Sequence, residues 1–530
     1  MTRTGRIAAA AEIGAVLVAA APAHAQPSNT GGKLLLMHYM PWFETPDVRD
    51  KWGEHWAGFN GEADPDQVVG PDGRRDIWSN YYPLIDLYDS TDPDVLECQL
   101  LQMKLAGVDG VVADWYGLSG EVDYPQIHHA TLALADAAED FGMTFTVCFE
   151  DRTVGLLLDL GLLPPGGETL HLSNTFQWVE NNWFNRPHYQ RVDGRPLLLN
   201  FGPISVTDAA VWAAALGSLT EAPELFALHN LWTSINADGG FMWVHWDAWA
   251  GMPSESVIKS RLETIFWAAS GDPSRVIASA VPGFDDVYPP GESFPFLDHR
   301  GGATLRESLA VSLDGPWPIV QLVTWNDYGE GTMIEPTREF GYTFLEVVQS
   351  ERRRELGPAA FTYSPVDLRQ PARLLAARRS SSASAAALDQ ASAWLAGGEP
   401  GRARSLLDVI AGVAIAADPA GAIADAGGTL VLEADLNGPG DGLELRWEKD
   451  GGPLVDGGRV SGATTTRLQI IGARDDDIGR YRLVATIAGE TEASSAAVAA
   501  VRPSDLDADV NGDGSVDQTD LSDLLSALSP

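Results

Sequence analysis

The sequence predicts an α/β protein assembled in series. A (β/α)8 barrel over 26–360 is followed by a helical spacer over 361–412, an all-β immunoglobulin-like sandwich over 413–502 and a short EF-hand-like tail over 503–530. Three observations carry this. Continuous apolar runs alternate with helical patterns from Lys33 onward. Composition turns to Ala, Ser, Arg and Leu after a helix at Thr343–Glu355. A block of short alternating strands around Trp447 then follows.

The N-terminus reads as a targeting segment. Arg3 and Arg6 precede an Ala/Val/Leu-rich run, and Ala23-His24-Ala25 has the small-x-small pattern of a signal-peptidase site. Residues 1–25 are therefore expected to be a signal peptide, and the chain secreted or held at a cell surface; the alternative is a retained N-terminal anchor. No uncharged apolar stretch long enough to span a bilayer follows. Cys98 and Cys148 each sit in apolar patterns and read as buried thiols rather than a disulfide framework.

Candidate barrel strands are Leu34–Tyr39, Gly110–Trp115, Phe145–Glu150, Pro196–Phe201, Leu225–His229, Met242–Trp246, Val276–Val281 and Ile319–Trp325. Continuous rather than alternating apolar runs mark strands buried on both faces of a parallel sheet. Helices fit between most of them. The clearest opens at Asp92-Pro93, a capping residue followed by proline at the first helical position, and stops at Gly107. Eight strands with interleaved helices over roughly 320 residues suit a closed barrel. A doubly wound sheet is the rival, but no GxGxxG follows the first strand.

The spacer reads as a helical hairpin turning at Gly397-Gly398-Glu399-Pro400-Gly401. In the sandwich, Trp447 is the expected core tryptophan and Tyr481, in Asp477-Ile478-Gly479-Arg480-Tyr481, the expected tyrosine corner. Leu483 and Ala434 stand where the usual cysteines would be. The tail matches a twelve-residue calcium loop from Asp509 to Asp520. Asp509, Asn511, Asp513, Ser515 and Asp520 are the candidate metal ligands, with Gly514 at the obligatory turn. Asp520 in place of a longer Glu, with a helix Leu521–Leu528 after it, resembles the type I dockerin repeat. That resemblance implies a cohesin-like or cell-surface partner, although one repeat is visible where the family has two.

A formal net charge of −39, from 74 acidic against 35 basic residues, repels phosphate backbones and anionic lipid heads. Nucleic-acid and polybasic membrane partners are thereby disfavoured, whereas a neutral carbohydrate polymer or glycan is compatible.

Polar and aromatic residues gather where the strands end, which in a barrel is the rim left free for chemistry. Candidate substrate contacts are His38, Tyr39, Trp42, Asp114, Trp115, Glu150, Trp246, Trp325 and Tyr328. The segment 323–336, VTWNDYGEGTMIEP, places Asp327 and Glu330 three residues apart, with aromatics beside them and glycines for a sharp turn. Glycosidic cleavage needs one carboxyl kept protonated and another ionised. On residue types alone the segment reads equally well as a structural turn or an active site. Glu335, before Pro336, reads as a loop anchor. No His/Asp/Glu cluster with metal-ligand spacing occurs in the barrel, so no cofactor is expected there.

The segment resembles the W-N-E-W-x-E-G-T-x-I-E-P signature of glycoside hydrolase family 99, the endo-α-mannosidase family, and of bacterial family 71/99-like proteins. MHYMPWF (37–43), YYPLIDLYDSTDPDVLE (81–97) and AGVDGVVADWYG (106–117) are similar to the same group. The resemblance implies a (β/α)8 barrel that hydrolyses α-mannoside or α-glucan bonds. It implies that Glu330 is the general acid and base, and that Asp327 assists attack of the sugar's own 2-hydroxyl. Asp327 is one methylene shorter than the family's Glu, which leaves direct activation of water as the other route. The alternative function is a non-catalytic glycan-binding or surface-attachment protein using a degenerate barrel.

Overall fold

The computed structural model describes residues 32–244, 272–289, 293–380 and 383–502. The expected signal peptide, Trp246 and the calcium loop lie outside the described residues.

Eight parallel strands close into a barrel: β1 (Leu34–Tyr39), β2 (Gly110–Trp115), β3 (Thr144–Phe149), β4 (Arg195–Asn200), β5 (Glu224–Leu228), β6 (Gly239–Phe241), β7 (Val276–Ala280) and β8 (Ile319–Leu322). Each pairs with its neighbour, β3 with β4, and β8 with β1 to complete the ring. Leu36, Val112, Cys148, Leu199, Phe226 and Ile277 fill the interior. The alternate residues, such as Met37, Val111, Ala113 and Val147, pack outward against the helices. Burial on both faces explains why the strands read as unbroken apolar runs.

The helix Pro93–Ala106 runs as expected. The Asp92 carboxylate accepts from the amides of Asp94 and Val95, and Gly107 closes it with φ of 91°. The sixth strand differs from expectation, at Gly239–Phe241 instead of Met242–Trp246. Gly-Gly disfavours a strand in isolation. Here a Cβ on Gly239 would stand 2.3 Å from the Phe226 ring, and one on Gly240 2.6 Å from Trp232. Close aromatic packing by neighbouring elements demands these glycines, a reason invisible in the local pattern.

Beyond the barrel lie three helices, Gln370–Ser380, Ala385–Ala396 and Pro400–Ile410; the last two form the expected hairpin about 397–399, and the first is additional to it. They do not hang free. Leu374, Leu388 and Leu395 join the apolar layer outside the barrel, and Arg378 forms an ion pair with Glu97 of Pro93–Ala106 at 2.6 Å. The last helix in turn meets the all-β domain, whose Ile487 packs into the same layer.

That domain is an immunoglobulin-like sandwich. One sheet holds Ala422–Asp425, Ala497–Arg502, Gly479–Ile487, Glu444–Lys449 and Gly452–Pro453, with Glu490–Ala493 paired to Gly479–Ile487; the other holds Thr429–Glu433, Arg467–Ile471 and Val460–Ser461. Trp447, Leu483 and Ala434 are buried between them, so apolar packing occupies the place of a disulfide. The Tyr481 hydroxyl donates to the Asp477 carbonyl at 2.7 Å, forming the tyrosine corner. Cys98 and Cys148 are both free and buried. No helix among the described residues is long and apolar enough to cross a membrane.

Candidate active site

The loop after β8 is tied down at both ends. The Asn326 side-chain amide accepts from the Met40 amide at 2.8 Å and donates to the Met40 carbonyl at 3.0 Å, fastening it to the end of β1. Glu335 is fully buried and accepts from Tyr88 and Tyr328 hydroxyls at 2.8 and 2.9 Å and from the Gln99 amide at 2.7 Å. Gln99 in turn accepts from the Tyr39 hydroxyl at 2.6 Å. Between these anchors Asp327 and Glu330 are presented at the C-terminal mouth.

Within the loop the two acids are linked. The Glu330 amide donates to Asp327 Oδ1 at 2.9 Å, and the Asp327 amide donates to Thr324 Oγ1 at 2.8 Å. Burial pushes the Asp327 carboxyl up to about 6, opposed by the Glu330 amide and by His55. Burial pushes Glu330 well above the usual carboxylate range, and the charge of Asp327 pushes it further, while a hydrogen bond from Trp243 pulls the other way. Glu330 Oε2 is buried with no hydrogen-bond partner among the described residues. A protonated acid beside an ionisable one is the state that burial and like charge favour together.

Glu330 forms part of the wall of a cavity of about 540 Å³ with Arg152, Phe201, Trp243, Tyr288 and Phe294. Below lie His38 on β1 and Asp114 on β2, with Nε2 and Oδ1 3.9 Å apart. The His38 ring meets Trp243 edge-on at 4.8 Å. Glu150, just past β3, pairs with Arg152 Nε at 2.6 Å. Burial first, and Asp114 second, hold its carboxyl well above the usual range, with Arg152 opposing. Asp151 beside it serves the scaffold, accepting from the amides of Ile204, Ser205 and Val206.

No protein-family model and no curated protein matches the sequence. The chain is similar in structure to the GH99 endo-α-mannosidase from Bacteroides thetaiotaomicron. The identity is 18%, over 62% of this chain and 98% of that one, with a TM-score of 0.46. It is also similar to a glycoside hydrolase-like protein, at 11% identity over 60% and 94% of the two chains, with a TM-score of 0.43. The tandem Ig repeats of Dlar are similar at 25% identity over 17% of this chain and 47% of that one, with a TM-score of 0.15.

Of the residues singled out from the sequence, the fold gathers His38, Asp114, Glu150, Asp327 and Glu330 at the mouth. Trp42 stands half-buried, stacked on His55 at 4.1 Å. Tyr39, Trp115, Trp325 and Tyr328 are fully buried in the apolar layer outside the barrel interior and do not face the mouth. The tyrosine hydroxyls are spent on the network that holds Glu335. The Trp115 indole donates to His128 at 3.2 Å and packs on Trp178 and Trp183. Alternation along a strand sends Trp115 outward where Asp114 points inward.

Four residues at the mouth escaped the sequence reading. His55, on the short helix Glu54–Ala57, pairs with Asp123 at 3.3 Å and acts on Asp327 electrostatically. Its position between Trp52 and Trp56 was the available signal. Trp243 was missed because the sixth strand ends earlier than expected. Arg152 and Tyr288 carry no local signal; their role comes from where the loops return.

Proposed function

We propose that the chain is a secreted glycoside hydrolase that cleaves α-glycosidic bonds, of α-mannoside or α-glucan type, in an extracellular polysaccharide or glycan. The observation that carries this is the Asp327–Glu330 pair. Two carboxyls joined through the Glu330 amide sit at the open end of a closed barrel, both raised by burial, beside an aromatic-walled cavity. Glu330, the more strongly raised and with an unpartnered oxygen, donates its proton to the leaving glycosidic oxygen and afterwards takes one from water. Asp327, the lower of the two, is the ionised partner that draws a proton from the attacking hydroxyl, whether the sugar's own or that of water. Aromatic rings around the cavity stack on sugar faces and keep the acid dry. The resemblance of 323–336 to the family 99 signature agrees with these roles.

Product analysis on α-mannans, α-glucans and sulfated algal polysaccharides tests the reading. Wild type should release oligosaccharides from one class. Glu330→Gln should lower the rate roughly 10²–10⁴-fold with glycan affinity kept. Binding without release by wild type on every substrate would establish a non-catalytic glycan receptor instead.

A further inference from the structure

Three residues far apart in sequence meet on the inner face of adjacent strands. His38 comes from β1, Asp114 from β2 and Cys148 from β3. Asp114 and Cys148 are direct partners in the parallel register, and His38 opposes Val112, which shares the inner face with Asp114 two residues earlier. One ligand-type atom of each, a ring nitrogen, a carboxylate oxygen and a thiol sulfur, lies within 4.8 Å of the others, and all three side chains are buried. Both ring nitrogens of His38 and Asp114 Oδ1 have no hydrogen-bond partner among the described residues. Burying a histidine with neither nitrogen bonded is costly. No protein group among the described residues supplies the missing partners.

We propose that His38, Asp114 and Cys148 form a binding site for a soft divalent transition-metal ion of the zinc type, at the floor of the mouth. Imidazole, carboxylate and thiolate are the donors such ions take, whereas calcium and magnesium take oxygen. Ligands of a tetrahedral ion stand roughly 3.5 Å apart, so the 3.9 Å between His38 and Asp114 is close to binding geometry. Binding requires the Cys148 sulfur, which lies within 4.8 Å of the other two donor atoms, to draw closer. On binding, the sulfur–hydrogen bond breaks, the proton leaves to solvent and the sulfur pair forms the bond to the metal. Three protein ligands leave the fourth position for water or a ligand hydroxyl. The site is independent of the hydrolase reading, since it requires only the barrel and these three side chains.

Cobalt(II) is the probe, because a thiolate ligand gives an intense near-ultraviolet charge-transfer band that oxygen ligands do not. The full-length chain, freed of metal with chelator, should bind cobalt with this band rising to one equivalent, and zinc should abolish it. Cys98→Ser should keep the band, which then can come only from Cys148. Cys148→Ser and His38→Ala should lose it while circular dichroism stays native. Absence of the band in the folded Cys98→Ser chain would overturn the proposal, even if Cys148→Ser does not fold. Its persistence in His38→Ala would also overturn it. Cobalt taken up by the acidic tail would produce no sulfur band and so could not imitate a positive result.

Discussion

Glu335 shows how a buried acid can hold a site without taking part in it. Three donors converge on its carboxyl, yet burial still pushes it up to about 7 from 4.5. A folded value above the unfolded one means that the fold favours the protonated form. Its contribution to stability is fully present below about 4.5, falls as pH rises to about 7 and is level beyond. Glu335→Gln should flatten this part of the stability profile, read from urea unfolding at pH 5 and pH 8. Glu335→Ala, which leaves three buried donors unpaired, should cost about 2 kcal/mol or more. At the mouth, the proposed cleavage requires ionised Asp327 and protonated Glu330. The rate should therefore fall on the acid side with a midpoint near 6, as Asp327 takes up a proton, and fall again at higher pH as Glu330 loses one. The two midpoints belong to the pair. An acid limb that survives in Asp327→Asn with residual activity would remove Asp327 from the base role.

Elements are positioned by a few local devices. The Asp92 cap starts the helix that carries Gln99 into the Glu335 network, so its loss acts on the site as well as on stability. Asp92→Ala should cost about 1 kcal/mol in thermal unfolding. In the sandwich, Tyr481→Phe removes the bond to the Asp477 carbonyl, and about 1 kcal/mol should be lost from unfolding of that domain alone. Arg459, bidentate on Asp477 at 2.7 and 3.0 Å, holds the same corner from the opposite sheet. The sixth strand depends on contacts from other elements: Gly240→Ala would drive a methyl group into Trp232 and displace the strand end that leads to Trp243.

Across the whole molecule, the three helices after the barrel act as a bracket. Arg378 grips Glu97 on one side, while the Ala414 amide donates to Glu492 at 2.7 Å on the other. Removing 413–530 should leave the proposed activity on soluble glycan intact, because none of the described residues of that part lines the mouth. Removing 361–530 should lower the melting temperature and promote aggregation, because it bares the apolar layer that Leu374, Leu388 and Leu395 cover. Light scattering and thermal melts of the two truncations test this.

The sequence by itself determined the barrel with seven of its eight strands, the sandwich with its tyrosine corner, and the loop bearing Asp327 and Glu330. These are read from periodicity, capping and short-range spacing, which are local properties of the chain. Only the tertiary structure decided which aromatics face the mouth. Trp325 and Tyr328 stand in the loop that bears Asp327 and Glu330, and Tyr39 ends β1, yet all three turn into the packed layer behind the mouth. It also decided that His38, Asp114 and Cys148 meet. The sequence shows no metal-ligand spacing among them, because ring closure brings together residues of successive strands whose separation along the chain is set by the intervening loops and helices.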